Sequence, residues 1–441
     1  MTGPREPARL VRWLARRAAS VFYRIDRTGP ALPDGPVLVL ANHPNALLDP
    51  AIVWATAGRD LHFLAKAALF AVPGFGWLMR RAGAIPTYRR IDADDTSRNV
   101  QMFRAVADAL ARGAAVCLFP EGISHSMGRL QPLKTGAARI ALDAASRGLS
   151  PAIVPVGLYF VRKWAFRSRV IVVYGQPFEV DSADRAEGPT PDAVRRLTAA
   201  MAKKLRALVV EADPFTDAAL VDRVDRLYTA TRRASRDAAD RVVRRRVIAA
   251  GIARLREADP DRYETVRERV VTYDARLRRF GLRDRDLDLS ISWRAAARFA
   301  LRELAVAAVL VPVSAAGLAL FAVPYYATGR VSRRVEPEPD VAATATLFVG
   351  LAVYGAWTLV MAGLAFAWRG WPSAVLVFAL MPIVALLALP AIEREASVRA
   401  TVRAWLALAR TRERARDRLK RNREEIVEVL EDVYRWISEG R

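Results

Sequence analysis

Four short runs of almost uninterrupted apolar residues recur in the first half of the chain, each bounded by turn residues. They occupy residues 37–42 (VLVLAN), 115–120 (AVCLFP), 152–160 (AIVPVGLYF) and 169–175 (RVIVVYG). Runs of this length, rich in Val, Ile and Leu, are typical of strands buried on both faces. Intervening stretches such as 96–112 and 135–147 have helical periodicity. The alternation predicts an α/β domain over residues 31–213, with a mainly parallel sheet flanked by helices.

Residues 1–30 carry a different pattern, with apolar and cationic positions on opposite faces of a helix. The apolar positions are Leu10, Val11, Leu14, Ala18, Val21 and Phe22, and the cations opposite them are Arg12, Arg16 and Arg17. The pattern fits an amphipathic helix at a membrane interface and equally a helix packed on its own domain. Because charges are scattered through the segment, it lacks the continuous apolar core of a secretory signal.

The second half of the chain alternates between charged and uncharged helical patterns. Residues 214–300 are densely charged but keep apolar residues at helical spacing, which favours a packed helical region over a disordered one. Three uncharged stretches follow at 304–328, 341–368 and 371–392. Each exceeds the roughly 18 to 20 apolar residues that cross a bilayer, so residues 301–392 are predicted to be membrane-embedded helices rather than core helices.

The order of these stretches also suggests a topology. The first contains Pro312, Ser314, Gly317 and Pro324 and has arginines on both flanks, which favours a re-entrant segment. The other two, joined by RGWP at residues 369–372, then form a membrane hairpin that leaves both termini cytosolic. Residues 393–441 read as a C-terminal amphipathic helix.

Composition adds one constraint on partners. The chain has 69 Lys and Arg against 46 Asp and Glu, a formal charge of +23, which suggests nucleic acid, an anionic membrane surface or phosphorylated metabolites. The excess of arginine beside abundant alanine resembles a coding bias, so the charge carries little weight. Arginines of the charged region are interleaved with acids and lack aromatic stacking partners, which argues against nucleic acid. The single cysteine, Cys117, excludes an internal disulfide and lies in an apolar context typical of a buried thiol.

Candidate chemistry begins at the exit of the first apolar run, where His43 is followed by Asp49. Active sites of α/β sheets lie outside the carboxyl ends of the strands. A carboxylate on the next helix could fix the tautomer of the imidazole and stabilise the imidazolium. Such a pair, without a serine or cysteine nucleophile, suggests a base that deprotonates a substrate hydroxyl, although a capping or core histidine is the commoner explanation of the pair taken alone. His62, followed by Phe63 and Leu64, is read as structural.

Two further blocks offer groups that could bind an anion. GAIPTYRR, residues 83–90, places arginines after a short extended run, and FPEGISHS, residues 119–126, follows a buried strand. Together they predict a sheet edge with cations and backbone donors. Lys134 adds another cation and is equally well explained as a surface lysine at a helix start.

The motifs resemble those of the membrane-bound glycerolipid acyltransferases that share an Asn-His…Asp motif. The blocks NHPNALLD, GAIPTYR, FPEGISH and VPVGLYF occur in the family's order, over residues 31–178. Five residues, rather than the family's usual four, separate His43 from Asp49, and we expect the loop at Pro44 and Asn45 to absorb the extra one. This spacing, with DPDRYETVRERVVTYDARLRRFGLRD further on, is similar to the fungal-type sn-1 acyltransferases of glycerol 3-phosphate and dihydroxyacetone phosphate.

The resemblance implies roles for individual residues. His43 would be the general base, Asp49 its orienting partner, and Arg89 the ligand of the acceptor phosphate. The family's Pro-Glu-Gly block usually continues Thr-Arg-Ser, whereas here the arginine is absent, so other groups would have to share the charge. The candidate substrate-binding residues are Arg89, Glu121, Gly122, Ser124, His125 and Lys134.

The implied reaction moves a fatty acyl group from acyl-CoA or acyl carrier protein to the sn-1 hydroxyl of glycerol 3-phosphate, with dihydroxyacetone phosphate left open as an acceptor. No metal or redox cofactor is expected. Alternatives are an sn-2 acyltransferase of 1-acylglycerol 3-phosphate or another lysophospholipid, and a catalytically silent scaffold that binds anionic lipid. Expected partners are membrane lipids, the acyl donor and a phosphorylated glycerol acceptor, at the cytoplasmic face of a bacterial inner membrane. The oligomeric state is left open.

Overall fold

The structure, a computed structural model, describes residues 9–88, 99–212, 215–235, 237–288, 312, 315, 317, 319–334, 341–411 and 413–439. The chain divides into two compact units. The first comprises Met1–Phe215, Asp237–Arg246 and Glu338–Thr344, and the second comprises Thr216–Arg236, Val247–Pro337 and Ala345–Arg441.

A seven-stranded sheet forms the centre of the first unit. Its strands are β1 (Tyr23–Thr28), β2 (Val37–Ala41), β3 (Leu61–Lys66), β4 (Ile85–Thr87), β5 (Ala115–Leu118), β6 (Ala152–Phe160) and β7 (Ser168–Tyr174). They lie in the order β1-β7-β6-β2-β5-β3-β4, and every neighbouring pair is parallel except β6 and β7. The predicted α/β class is therefore confirmed, and the four predicted strands are β2, β5, β6 and β7.

Helices connect the strands and cover the sheet. They are α1 (Arg9–Phe22), α2 (Leu48–Thr56), α3 (Phe75–Arg81), α4 (Asn99–Ala111), α5 (Gly136–Ser146), α6 (Ser182–Glu187) and α7 (Pro191–Arg206), with a 3-10 turn at Ala67–Phe70. A buried hydrophobic cluster joins β2 and β5 to α4, α5 and α7. Because α5 presents mainly alanines to this cluster, its backbone can lie close to the strands that carry the site.

The amino-terminal segment differs from a single helix over residues 1–30. Helix α1 ends at Phe22, and the chain continues into β1, which pairs in parallel with β7. One face of α1 packs against α2 and buries Val11 and Ala19, whereas Leu10 and Trp13 on the other face are exposed. The helix is thus packed on its own domain and also presents exposed apolar residues.

Helices also form the charged region. They are α8 (Phe215–Thr231), α9 (Ala238–Ala258) and α10 (Pro260–Arg279), followed by a 3-10 turn at Asp284–Asp286. Several of their charged side chains form ion pairs with one another. Asp217 of α8 is buried, pairs with Arg256 and accepts a hydrogen bond from the Tyr263 hydroxyl at 2.7 Å. Such pairing explains how a densely charged sequence packs.

The apolar region is also helical wherever it is described. Residues 319–334 form α11, followed by α12 (Ala342–Arg369), α13 (Trp371–Arg410) and α14 (Glu413–Ser438). The predicted re-entrant segment, 304–328, lies mostly outside the described residues. The predicted boundary at residue 393 is not a helix end, because α13 continues to Arg410 and has its C-cap at Thr411.

Two of these helices are long and apolar enough to cross a membrane. They are Ala342–Arg369, with mean hydropathy 1.9, and Trp371–Ala388, with mean hydropathy 2.2. Their most apolar windows are 0% and 11% buried inside the protein. Core helices of a soluble protein would be mostly buried, so this exposure supports association with a membrane.

Candidate active site

The structure brings His43 and Asp49 into direct contact at the carboxyl end of β2. The Nδ1 atom of His43 lies 2.9 Å from Oδ2 of Asp49. Asp49 belongs to the first turn of α2 and is fully buried, whereas 18% of the His43 side chain is exposed. A carboxylate cannot donate a hydrogen bond when ionised, so the proton is assigned to Nδ1 and the lone pair to Nε2.

A short loop absorbs the extra residue between this pair. Helix α2 begins only at Leu48, and Ala46 adopts a left-handed conformation with φ of +38°. The backbone N–H of Asn45 donates to Oδ2 of Asp49 at 2.6 Å, so the loop and the carboxylate are joined. The expectation that Pro44 and Asn45 lie in the loop before the helix agrees with this arrangement.

The environment of Asp49 sets the electrostatics of the pair. Burial raises the pKa of Asp49, while its hydrogen bond with His43, the Asn45 N–H and the positive charge of Lys163 act in the opposite direction. The other carboxylate oxygen, Oδ1, has no hydrogen-bond partner among the described residues. The ring of Phe119 stacks on the His43 imidazole with centroids 4.1 Å apart, which restricts the imidazole to one plane.

Glu121 ties the neighbouring loop to His43. Its Oε1 accepts a hydrogen bond from the backbone N–H of His43 at 2.8 Å. Its Oε2 lies 2.5 Å from Nε2 of His125 and accepts from the backbone N–H of Gln131 at 2.7 Å. The Glu121 side chain is fully buried, so both carboxylate oxygens are committed to the protein and its place in the site is that of a support.

His125 is held in the same way. Its Nε2 faces Glu121, and its Nδ1 accepts from the backbone N–H of Met127 at 3.3 Å. Both ring nitrogens therefore have protein partners. The role of His125 in substrate binding stays a prediction.

The remaining predicted binding residues lie around this loop, with one exception. Gly122 has a φ of +75°, and a Cβ atom there would come within 3.3 Å of Cγ of Lys134. Lys134 is exposed, and its backbone N–H donates to the Pro120 carbonyl at 2.7 Å. Ser124 is partly exposed in the same loop. Arg89 lies outside the described residues.

Three residues of the site were not predicted from the sequence. The hydroxyl of Tyr23 accepts from Nδ2 of Asn45 at 2.7 Å and donates to the backbone carbonyl of Lys163. Tyr23 is buried, and burial raises its pKa. Tyr23, Asn45 and Lys163 come from β1, the loop after β2 and the loop after β6, so no local sequence pattern could have joined them.

Two sequence interpretations outside the pair can also be assigned. His62 is buried in β3, and its Nδ1 lies 2.9 Å from the Gly83 carbonyl, which agrees with a structural role. Cys117 is buried in β5, and burial raises the pKa of its thiol. Among the described residues there is no group of three or more His, Cys, Asp or Glu side chains that could hold a metal ion.

The arrangement is suited to proton transfer at Nε2 of His43. A buried carboxylate fixes Nδ1–H, a stacked ring fixes the plane, and the side chain is partly open to solvent. An imidazole held in this way can remove a proton from a bound hydroxyl and return it to a leaving group.

Comparison with known proteins finds a family match in each half of the chain. Residues 10–159 match the Acyltransferase family, and residues 220–438 match the family described as glycerol-3-phosphate acyltransferase 2 C-terminal domain. Glycerol-3-phosphate O-acyltransferase 2 of Saccharomyces cerevisiae is 31% identical over 134 residues, which are 30% of this chain and 18% of that protein. The chloroplastic 1-acyl-sn-glycerol-3-phosphate acyltransferase of Arabidopsis thaliana is 32% identical over 140 residues, which are 31% of this chain and 36% of that protein.

One solved structure shares a limited likeness. It is the crystal structure of the 1-acyl-sn-glycerophosphate acyltransferase of Thermotoga maritima, with 20% identity and a TM-score of 0.34 over 44% of this chain and 76% of that one. The family matches, in contrast, cover both the unit that carries His43 and Asp49 and the helices that follow it. The chain is therefore similar to the Acyltransferase family over residues 10–159 and to the glycerol-3-phosphate acyltransferase 2 C-terminal domain over residues 220–438.

Proposed function

We propose that this protein transfers a fatty acyl group from a thioester donor, acyl-CoA or acyl carrier protein, to the sn-1 hydroxyl of glycerol 3-phosphate. The observation that carries the proposal is the 2.9 Å contact between His43 and Asp49 at the carboxyl end of β2. The match of residues 220–438 to a C-terminal domain of glycerol-3-phosphate acyltransferases supports the choice of acceptor.

The reaction follows from the geometry of the pair. Nε2 of His43 removes the proton of the acceptor hydroxyl as its oxygen attacks the thioester carbonyl. Asp49 holds Nδ1–H and stabilises the imidazolium that forms. When the tetrahedral intermediate collapses, the carbon–sulfur bond breaks and the imidazolium returns the proton to the thiolate. The products are the acylated glycerol phosphate and the free thiol.

The acceptor phosphate requires cations near this pair. Lys134 is exposed beside Gly122, and we propose Arg89 and Lys134 as ligands of the phosphate. Ser124, partly exposed in the same loop, is proposed as a hydrogen-bonding contact. The buried Glu121 contributes by shaping the loop. The mechanism uses only side chains and the two substrates, and we propose no metal or redox cofactor for it.

An sn-2 acyltransferase is a second candidate. The observation that favours it is the similarity to the Arabidopsis protein, whose name gives 1-acyl-sn-glycerol 3-phosphate as its acceptor. Both candidates use the same proton transfer at His43, so the acceptor alone separates them. We place the enzyme at the cytoplasmic face of a bacterial inner membrane, with lipids and the acyl donor as its partners.

The test offers the full-length protein in lipid nanodiscs each acceptor in turn with a radiolabelled acyl donor. We expect labelled lysophosphatidate from glycerol 3-phosphate. Product formed only from 1-acylglycerol 3-phosphate would favour the second candidate, and no transfer with any acceptor or donor would refute both. His43→Ala should abolish transfer in folded protein. The matched control is His62→Gln, which alters a buried histidine outside the site and should retain activity per folded molecule.

A further inference from the structure

Lys163 lies in the loop between β6 and β7, far along the chain from the residues that it contacts. Its Nζ atom donates to Oγ of Ser126 at 2.7 Å and to the carbonyl oxygen of His125 at 3.3 Å. The backbone N–H of His125 in turn donates to the carbonyl oxygen of His43 at 3.1 Å. The ammonium group of Lys163 therefore binds the loop at residues 125–126, and the backbone of that loop is hydrogen-bonded to the backbone of His43.

The backbone of the same residue is connected to the other half of the pair. The carbonyl oxygen of Lys163 accepts from the hydroxyl of Tyr23, which accepts from Nδ2 of Asn45 at 2.7 Å. The backbone N–H of Asn45 donates to Oδ2 of Asp49 at 2.6 Å. One residue is thus linked to His43 through its side chain and to Asp49 through its carbonyl group.

Charge gives Lys163 a second connection to the pair. Asp49 is fully buried, and His43, Tyr23, Cys117 and Lys163 are four titratable groups among the described residues that interact with it. Burial raises the pKa of both Tyr23 and Cys117, so these two are neutral at neutral pH. Of the four groups, Lys163 is the one that supplies a positive charge while the His43 imidazole is neutral and ready to act as a base.

We propose that Lys163 is a positioning residue for the His43–Asp49 pair: it fixes the two loops that support the pair and places a positive charge near the Asp49 carboxylate. The catalytic part of this proposal rests on the function proposed above. The contacts themselves do not depend on the identity of the acceptor.

The charge of Lys163 has the same effect on either protonated form of the pair. When the pH falls, the pair takes up one proton, which gives either the imidazolium beside the carboxylate or the neutral carboxylic acid. Both forms carry one more positive charge than the active pair, and Lys163 opposes both. Removing the charge of Lys163 therefore lets the pair bind its proton at higher pH, and the acid limb of the activity profile moves upward.

The experiment compares Lys163→Met, Lys163→Gln and Lys163→Arg in the full-length protein. We expect kcat of the Met and Gln variants to fall at least about tenfold at pH 7, with KM for the acceptor within about twofold, and the acid limb of kcat/KM to rise by roughly 0.5 to 1 pH unit. The Lys163→Arg variant keeps the positive charge, so the acid limb of its kcat/KM profile should lie at the wild-type pH. Arg162→Met, which removes an exposed cation from the same loop, should leave the profile unchanged.

A second readout does not require acyl transfer. Diethylpyrocarbonate modifies neutral imidazole, and mass spectrometry of the His43 peptide gives the pH midpoint of modification. We expect this midpoint to rise in Lys163→Met and Lys163→Gln and to return in Lys163→Arg. Unchanged midpoints in folded variants, an equal shift in Arg162→Met, or a rise in acceptor KM with kcat unchanged would overturn the proposal. If the variants show the midpoint shift but the wild type transfers no acyl group, the proposed function fails and the positioning role stands.

Discussion

At the scale of single residues, Asp49 is notable because its carboxylate contacts His43 in a buried position, where a charged group is unfavourable. Its carboxylate is fully buried, and Oδ1 has no hydrogen-bond partner among the described residues. We predict that Asp49→Asn lowers kcat by about 10² to 10⁴, because an amide cannot hold Nδ1–H and orient the imidazole as the carboxylate does. The measurement is steady-state acyl transfer beside wild type, and activity within about threefold of wild type would contradict the assigned role.

The same substitution should not weaken the fold. Burial raises the pKa of Asp49, so the folded protein binds this proton more tightly than the unfolded chain does. The stabilisation from that proton is fully present below the unfolded value of about 3.9 and is lost as the pH rises through the higher folded value. Above that folded value the buried ionised carboxylate therefore destabilises the fold, and the neutral amide of the Asp49→Asn variant removes this cost. We predict a thermal midpoint at or above that of wild type, with the difference shrinking as the pH falls.

Glu121 should behave in the opposite way, because its carboxylate supports the site without facing the substrate. Its two oxygens accept from the His43 N–H, from the Gln131 N–H and from the His125 ring. Glu121→Gln replaces one acceptor oxygen by an NH₂ group, which faces donors and leaves them unpaired. We predict a loss of about 1–3 kcal/mol in the free energy of unfolding, measured by denaturant titration in detergent. An unchanged midpoint would show that these contacts are dispensable.

At the scale of elements, the loop from His43 to α2 depends on one backbone conformation. Ala46 has a φ of +38°, a region that β-branched residues avoid. We predict that Ala46→Val destabilises the protein by about 1–3 kcal/mol and lowers kcat, since the strain displaces Asn45 and Asp49. Ala46→Gly should keep wild-type activity and stability within about 1 kcal/mol, because relief of strain offsets the greater freedom of the unfolded chain. Thermal melts and acyl-transfer assays of the two variants provide the comparison.

The strands show how far sequence patterns determine the sheet. Strands β2, β5, β6 and β7 could be predicted because central strands buried on both faces leave long apolar runs. Strand β1, YRIDRT, is polar because it pairs only with β7 at the edge of the sheet. Strand β4 at the opposite edge has three residues and corresponds to the short extended run expected within residues 83–90. The missed β1 matters, because it carries Tyr23 into the site.

The site was predictable to the extent that its chemistry is local. His43 and Asp49 are six residues apart and follow a recognisable strand, so their contact could be expected from the sequence. Lys163 approaches Ser126 from 37 residues away, and Tyr23 reaches Lys163 across 140 residues. Such contacts depend on the order of strands in the sheet, which the apolar pattern alone does not specify.

At the scale of the whole molecule, the distribution of charge around the two apolar helices suggests an orientation. Helix α12 has 28 residues, a length of about 42 Å at 1.5 Å per residue, which exceeds a hydrocarbon core of about 30 Å. Arg369, the last residue of α12, is the one cation between the apolar parts of α12 and α13. Arg394, Arg399 and Arg403 follow the apolar part of α13. Because cations are retained on the cytoplasmic side, this asymmetry favours a hairpin whose turn faces away from the cytoplasm.

Cysteine labelling can test this orientation, because the one native cysteine, Cys117, is buried. Arg369→Cys places a thiol at the turn, and Glu413→Cys places one at the start of α14, where the native side chain is 82% exposed. We predict that a membrane-impermeant maleimide labels the first variant in intact spheroplasts and the second only after permeabilisation. Labelling of both from the same side would contradict a crossing hairpin. In that case both helices would lie along one surface of the membrane instead of crossing it.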